Sequence, residues 1–392
     1  MPGKQSAMDA VMVTGKRAPV AMVEGHGSYL FDAAGKRYLD FVQGWAVNCL
    51  GHTPAVVTDA LVAQSKRLVH CGPIFYTPPL LELAALLVER SCFDRVFFTN
   101  CGAEANEGAI KLARKWGQKH RGGGYEIITT ENSFHGRTLA TMSASGKPGW
   151  DALFEPKVPG FVKVPLNDVE AARRAMGERT VAFMLQTVQG EGGVNLASVE
   201  YMKALREVTR ERGVLLIVDE VQTGIGRTGQ LFAYEHFGIE PDIMTLGKGI
   251  GGGVPLGALL AREAICCFEP GDQGGTFNGG ALVAAVGAAV CKEVSRPEFL
   301  AAVTASGEYM ASKLAEVAAR RGEQGVRGRG LLLAMALSSP RGAAIVERAY
   351  EMGLLLNSPR PDVLRFMPAL NVLRGEIDEM VDMLDTLLAR PV

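Results

Sequence analysis

Apolar residues along the chain fall into two alternating textures. Short, nearly unbroken apolar runs occur at Arg95–Thr99, Glu126–Thr129, Val181–Leu185, Val214–Val218, Asp242–Leu246 and Leu256–Ala261. Between them, segments such as Ala105–Trp116 and Val199–Arg212 repeat apolar positions at helical spacing. The first texture predicts strands and the second amphipathic helices. Their alternation predicts βαβ units around a mostly parallel sheet. Strands apolar on both faces are those covered by helices on both sides.

After about Cys291 the pattern changes. Charged helical segments (Arg296–Arg320, Gly342–Glu351) interleave with the runs Leu331–Leu337, Leu354–Leu356 and Val363–Phe366, which reads as a second, smaller α/β domain. The longest apolar tract, Ala281–Cys291, is about half the roughly 20 residues a membrane span needs, so it reads as a buried helix. A length of 392 residues independently suggests two domains.

Composition narrows the function classes. With 41 Lys+Arg against 42 Asp+Glu, the chain lacks the basic footprint of a nucleic-acid binder, so any anion must be held by a local site. Seven cysteines without a CxxC spacing argue against a disulfide framework and a structural zinc. The first residues contain no apolar core of a signal peptide. The expectation is a reducing cytoplasm, with no nucleic acid, membrane or metal as partner.

In an open α/β sheet, ligands bind at the carboxyl ends of the strands. The polar clusters lie there: Thr99–Gly102 after the first run, Asp219-Glu220 after VLLIV, and Gly247-Lys248 after DIMTL. The stretch TLGKGIGGG (Thr245–Gly253) admits three readings. It is not a P-loop, because Gly249 rather than Ser or Thr follows the lysine. Gly247, Gly249 and Gly252 match the dinucleotide pattern GxGxxG, but Val254-Pro255 interrupts the helix that pattern requires. The third reading makes Lys248 a nucleophilic amine whose desolvation lowers its pKa, in a loop whose glycines let backbone approach a flat cofactor. A surface loop lysine is its plain alternative.

Other residues bear on that choice. Asp219 ends an apolar run, where a carboxylate is costly without a cation, and a protonated pyridine nitrogen is one such partner. A helix cap or a metal ligand are its alternatives. The turn into GAEANE (Gly102–Glu107) offers free N–H groups at a helix start for a phosphate, or is merely a glycine turn. Phe134 stacks on a ring or belongs to the core. Arg137 pairs with a substrate carboxylate or sits on the surface.

Together DFVQGWAVNCLGH (Asp40–His52), GAEANE, SFHGR (Ser133–Arg137), QGEGG (Gln189–Gly193), VDEVQTGIGRTG (Val218–Gly229), Pro241–Gly253 and LRFMPA (Leu364–Ala369) resemble, in order, the class-III aminotransferases of pyridoxal-phosphate (PLP) fold type I. That resemblance implies an α/β fold with a large domain, a mostly parallel seven-stranded-type sheet covered by helices, over residues 46–291. It also implies a small α/β domain over 292–392, and an N-terminal segment, 1–45, packing with it. Lys248 is then the lysine that carries the cofactor and shuttles the proton, and Asp219 the partner of the ring nitrogen. Gly102 and Ala103 hold the phosphate. Phe134 lies on the ring, Gln222 near its hydroxyl, and Glu220 and Val221 beside it. Arg137 takes the substrate carboxylate, Glu191 pairs with Arg365, and Gly275 and Thr276 reach the site of a second subunit in a homodimer. The implied reaction moves the terminal amine of N-acetylornithine to 2-oxoglutarate, within arginine biosynthesis.

Three departures from the family pattern stand out: Ala103 for a hydroxyl residue, Gln186-Thr187 for Glu-Pro, and Asn278–Ala281 for Gly-Asn-Pro-Leu. The expectation drawn from the second is that Arg365 is less neutralised and more readily freed. Rival donors are ornithine, succinylornithine and 4-aminobutyrate. An aminomutase on the same scaffold is the rival reaction, against which the Glu191 and Arg365 pair counts.

Overall fold

The computed structural model describes residues 8–389. Its centre is a seven-stranded sheet: β1 (Arg95–Thr99), β2 (Glu126–Thr130), β3 (Phe161–Val164), β4 (Thr180–Leu185), β5 (Leu215–Asp219), β6 (Ile243–Leu246) and β7 (Gly257–Ala261). The spatial order is β1-β7-β6-β5-β4-β2-β3. Strands β6, β5, β4, β2 and β3 pair in parallel, whereas β7 is antiparallel to both β6 and β1. Strands β4, β5, β6 and β7 are buried along their whole length, which is why they read as continuous apolar runs.

The helix Gly102–His120 begins three residues before the sequence pattern suggests. Cys101 is extended and the first turn carries no side-chain cap, so apolar periodicity sets in only once the helix meets the sheet through Ala105, Ala109, Ile110 and Ala113. The Ala281 tract is a helix, Ala281–Val294, packed against Ala55–Ser65 and Pro78–Glu89. The helix Val199–Arg212 starts with Ser198 accepting from the Tyr201 amide and stops at Gly213 in the left-handed region (φ 60°).

Beyond the sheet, strands Gly325–Arg329, Leu332–Ala336, Asn357–Arg360 and Val363–Phe366 form a second sheet that packs against Pro297–Arg321 and Gly342–Met352, and Arg374–Leu388 packs on those two helices. A third sheet joins Met22–His26, Tyr29–Asp32 and Arg37–Asp40 to Leu354–Leu355. Side chains strengthen that junction: Tyr29 and Arg37 both donate to Glu379, and Ser28 donates to Glu376. The fully buried Arg227 donates to the carbonyls of Leu331 and Pro368, tying the loop after β5 to the C-terminal part. Among the described residues, no helix is long and apolar enough to cross a membrane.

Candidate active site

One cavity of about 490 Å³ opens at the carboxyl ends of the parallel strands. The walls come largely from the ends of strands: Asn100–Ala103 after β1, Phe134–Arg137 after β2, Gln186 after β4, Asp219, Val221 and Gln222 at β5 and Lys248 after β6. Because β7 runs the other way, it contributes the segment before it, Gly253–Leu256.

Lys248 follows β6 in the left-handed backbone region (φ 48°), a strain of about 1–3 kcal/mol that the surrounding loops must hold. Half-buried at the cavity, its amine is brought down to about 8, first by burial and then by the positive charge of Arg365. Roughly a tenth of the side chain is then free amine at pH 7, the nucleophilic form, against a few parts in ten thousand for an ordinary lysine.

Asp219 is 1% exposed and closes the far wall. Its Oδ1 accepts from the Val221 amide (3.0 Å), and its Oδ2 from Asn106 Nδ2 (2.9 Å) and His135 Nδ1 (2.7 Å). Asn106 is fixed in turn by the His135 carbonyl and by Thr245, whose hydroxyl donates to Asn106 Oδ1 (2.6 Å). Among the described residues, His135 Nε2 is buried without a hydrogen-bond partner. Such an array holds a carboxylate rigidly where a cationic ring nitrogen can meet it.

The opposite end is built from backbone. Amides at the start of Gly102–His120 precede the first intrahelical bond, Ala105 N–H to Cys101 C=O, and thus face the cavity without internal acceptors. This requires close approach of three loops. A Cβ on Gly102 would lie 2.5 Å from Val221 Cγ1, and one on Gly247 would lie 3.0 Å from the backbone of Gly102. Here Ala103 is no handicap, because the donors are main-chain groups.

Phe134 lines the cavity and donates its amide to Gln186 Oε1 (3.0 Å). Arg137 is exposed at the mouth. Behind Gln222, Arg365 is fully buried and donates to Glu191 Oε1 (2.7 Å), to Asn357 Oδ1 (2.7 and 3.1 Å) and to Gln222 Oε1 (3.3 Å). Burial pushes the Glu191 carboxyl up, but Arg365, Lys248 and Lys147 together hold it below the usual carboxylate value. Gly190 leaves room for this stack, since a Cβ there would overlap Gln222 Oε1 at 1.7 Å.

Two expectations change. Glu220 does not face the cavity: its carboxyl oxygens accept from the amides of Ala233 (2.6 Å) and Tyr234 (2.7 Å), so it holds the helical turn Ala233–Phe237 instead. Consecutive residues at a strand end point to opposite faces, which sends Asp219 inward and Glu220 away. Among the described residues, Gln186 makes no hydrogen bond to Arg365; its side-chain amide oxygen accepts from the Phe134 amide and positions that ring, so any effect on Arg365 is one of charge rather than contact. Gly275 and Thr276 lie outside the lining of the cavity in their own chain, although Asn278 on the same loop accepts from Asn100 Nδ2 (2.9 Å) at its edge.

Sequence reasoning missed His135, Asn106, Asn357 and Lys147. Asn106 left a readable signal, being a polar residue on the apolar face of its helix. Asn357 and Lys147 left none, since their roles arise only when distant segments meet.

The family model described as aminotransferase class-III matches residues 11–388. The acetylornithine aminotransferase of Ralstonia nicotianae is 56% identical over 388 residues, 97% of each chain. That of Caldanaerobacter subterraneus is 45% identical over 381 residues, again 97% of each. Among solved structures, the N-acetylornithine aminotransferase of Stenotrophomonas maltophilia superposes with a TM-score of 0.84 at 35% identity, covering 95% of this chain and 96% of that one. The ornithine aminotransferase of Toxoplasma gondii gives 0.92 at 31% identity, covering 97% and 93%.

Proposed function

Because the chain belongs to the class-III aminotransferase family, we propose that it moves the terminal amino group of N-acetylornithine to 2-oxoglutarate, giving N-acetylglutamate semialdehyde and glutamate. The observation that carries this reading is one cavity holding a lysine amine lowered to about 8, a buried carboxylate and an uncapped helix start, with an Arg–Glu pair directly behind it.

The enzyme is a PLP-dependent transaminase, and the residues present fit that cofactor. Asp219, with a cluster of three donors behind it, suits the ring nitrogen; the amides of Gly102 and Ala103 suit the phosphate; Phe134 and Val221 suit the ring faces, and Gln222 the ring hydroxyl. When bound, pyridoxal phosphate supplies an electron-poor ring that accepts the electron pair released at the substrate carbon. Lys248 would hold it through Nζ and, once displaced as the free amine, would carry at Nζ the proton taken from the carbon bearing the transferring nitrogen. Asp219 keeps the ring cationic. Arg137, at the cavity mouth, takes the donor carboxylate.

The two substrates place their carboxylates differently. In the donor half, Glu191 neutralises Arg365; in the acceptor half, Arg365 is released to the second carboxylate of 2-oxoglutarate. Such an exchange is accessible only when it is nearly isoenergetic, because either charge alone is costly at this burial.

The working unit in this reading is a homodimer in which Gly275 and Thr276 complete the partner's site. Support comes from a run of exposed apolar side chains, Ile74 (82%), Phe75 (60%), Tyr76 (83%) and Phe277 (65%), on the segments flanking that loop. We also propose that the N-terminal segment, 1–45, packs with the small domain, 292–392, beside the large domain, 46–291, on the strength of the shared sheet at Arg37–Asp40 and Leu354–Leu355; residues 1–7 and 390–392 lie outside the described residues. The enzyme's place is arginine biosynthesis in a reducing cytoplasm, where seven unpaired cysteines are at home. Nucleic acid and membrane have no part in it.

Ornithine is the second reading, favoured by the structural match to an ornithine aminotransferase. Single half-reactions separate the two. Holoenzyme mixed with one amine and no acceptor should lose its visible absorbance fastest with N-acetylornithine. A faster loss with ornithine, succinylornithine or 4-aminobutyrate would assign the donor to that amine.

A further inference from the structure

Glu191 lies between two cations. Its Oε1 accepts from Arg365, while its Oε2 faces Lys147 Nζ at 4.0 Å. We propose that Lys147 is the alternate partner of Glu191, taking over its carboxylate when Arg365 is given up to the carboxylate of the second substrate. This rests on the Glu191–Arg365 exchange described above and adds the residue that keeps Glu191 paired while it is open.

The position of Lys147 is set by its neighbour. Gly146 donates to Ser133 Oγ (3.1 Å) and accepts from the Asn132 amide (2.8 Å), and a Cβ there would lie 2.4 Å from the Thr130 carbonyl oxygen. Only glycine permits that approach, which binds residue 147 to the turn that presents Phe134. The ammonium then sits over two rings, 5.9 Å from the centroid of Phe134 and 5.3 Å from that of Trp150, and these rings meet edge to face. Cation–π contact at this range restrains the lysine without neutralising it.

Arg365 keeps its neutral partners, Asn357 and Gln222, whichever carboxylate it holds. Glu191 has no such reserve. Its side chain is 22% exposed, and with Arg365 withdrawn it would be a largely desolvated anion. Closing the 4.0 Å gap to an ion-pair contact of about 2.8 Å requires only a small rotation of either side chain. The exchange then trades one Glu191 ion pair for another.

The test uses holoenzyme and glutarate, an unreactive dicarboxylate, with binding measured by calorimetry. Lys147→Met keeps the aliphatic stem over the rings and removes the charge. It should weaken glutarate about fivefold, the upper end for a partly exposed pair, and more than it weakens N-acetylornithine. Lys147→Arg should restore most of the loss. A folded Lys147→Met protein with wild-type glutarate affinity overturns the proposal. Glu191→Gln tells the two failures apart. If it still shifts the ratio of glutarate to N-acetylornithine affinity, only the role of Lys147 is lost. If it leaves that ratio untouched, the exchange itself is wrong.

Discussion

A lysine that must be neutral to act is one the protein would rather not protonate. With its pKa brought from 10.5 to about 8, Lys248 penalises the cofactor-free protein as pH falls through that interval, and the penalty is complete below it. Lys248→Met should therefore abolish turnover, since covalent anchor and proton carrier vanish together and proton transfer alone is worth roughly 10²–10⁴-fold. The same variant, stripped of cofactor, should be more stable than the stripped wild type at pH 7 by about 1–3 kcal/mol, with the difference closing as pH rises toward 10.5. Thermal unfolding across pH measures this; a destabilised variant at pH 7 would show that the amine is not held against its charge. Lys248 and Asp219 were legible because each polar residue interrupts an apolar run. Glu220 misled by adjacency: strand alternation turns it to the far face. Lys147 was illegible, because residues 147, 191 and 365 become neighbours only through folding.

At the scale of elements, the end of the cavity proposed for the phosphate depends on a helix start, a strand end and a loop meeting closely. Gly102→Ala forces a Cβ into Val221, so the helix start must retreat. Affinity for pyridoxal phosphate should fall about tenfold, roughly the 1.4 kcal/mol of one lost hydrogen bond. Val221→Ala in the same protein should recover part of it; equal affinities for Gly102→Ala and wild type, by titration of the stripped protein, would remove these amides from the site. Glu220 supports the same region from behind. Burial pushes its carboxyl up to about 8 from 4.5, against the pull of two amide donors. The folded state therefore retains a proton that the unfolded chain releases, and stability falls as pH rises through this window. Glu220→Gln should flatten that slope in thermal unfolding between pH 5 and 8, and an unchanged slope would place its cause elsewhere. The central strands were legible as apolar runs long enough to register. The edge strand β3 and the N-terminal strands were not, being short, half-exposed and dependent on partners far along the chain.

At the scale of the whole molecule, the sheet delivers five strand ends to one cavity, and the reversed β7 keeps its approach on the same side. Gly275 and Thr276 fall outside that cavity while exposed apolar residues surround their loop. Shared sites predict complementation. Mixing Lys248→Met and Thr276→Ala subunits by reversible dissociation should restore activity above that of either parent, because one site of each hybrid regains both residues. No gain on mixing would mean that each chain works alone. The claim beneath all of this is that Lys248 and its cavity transfer a terminal amine from an acylated donor to a dicarboxylate acceptor. Its most direct test is kcat/KM for N-acetylornithine, ornithine, succinylornithine and 4-aminobutyrate, each with 2-oxoglutarate and with glutamate quantified. The account predicts that N-acetylornithine ranks first and yields one glutamate per aldehyde; a different leading amine, or product formed without 2-oxoglutarate, would contradict it.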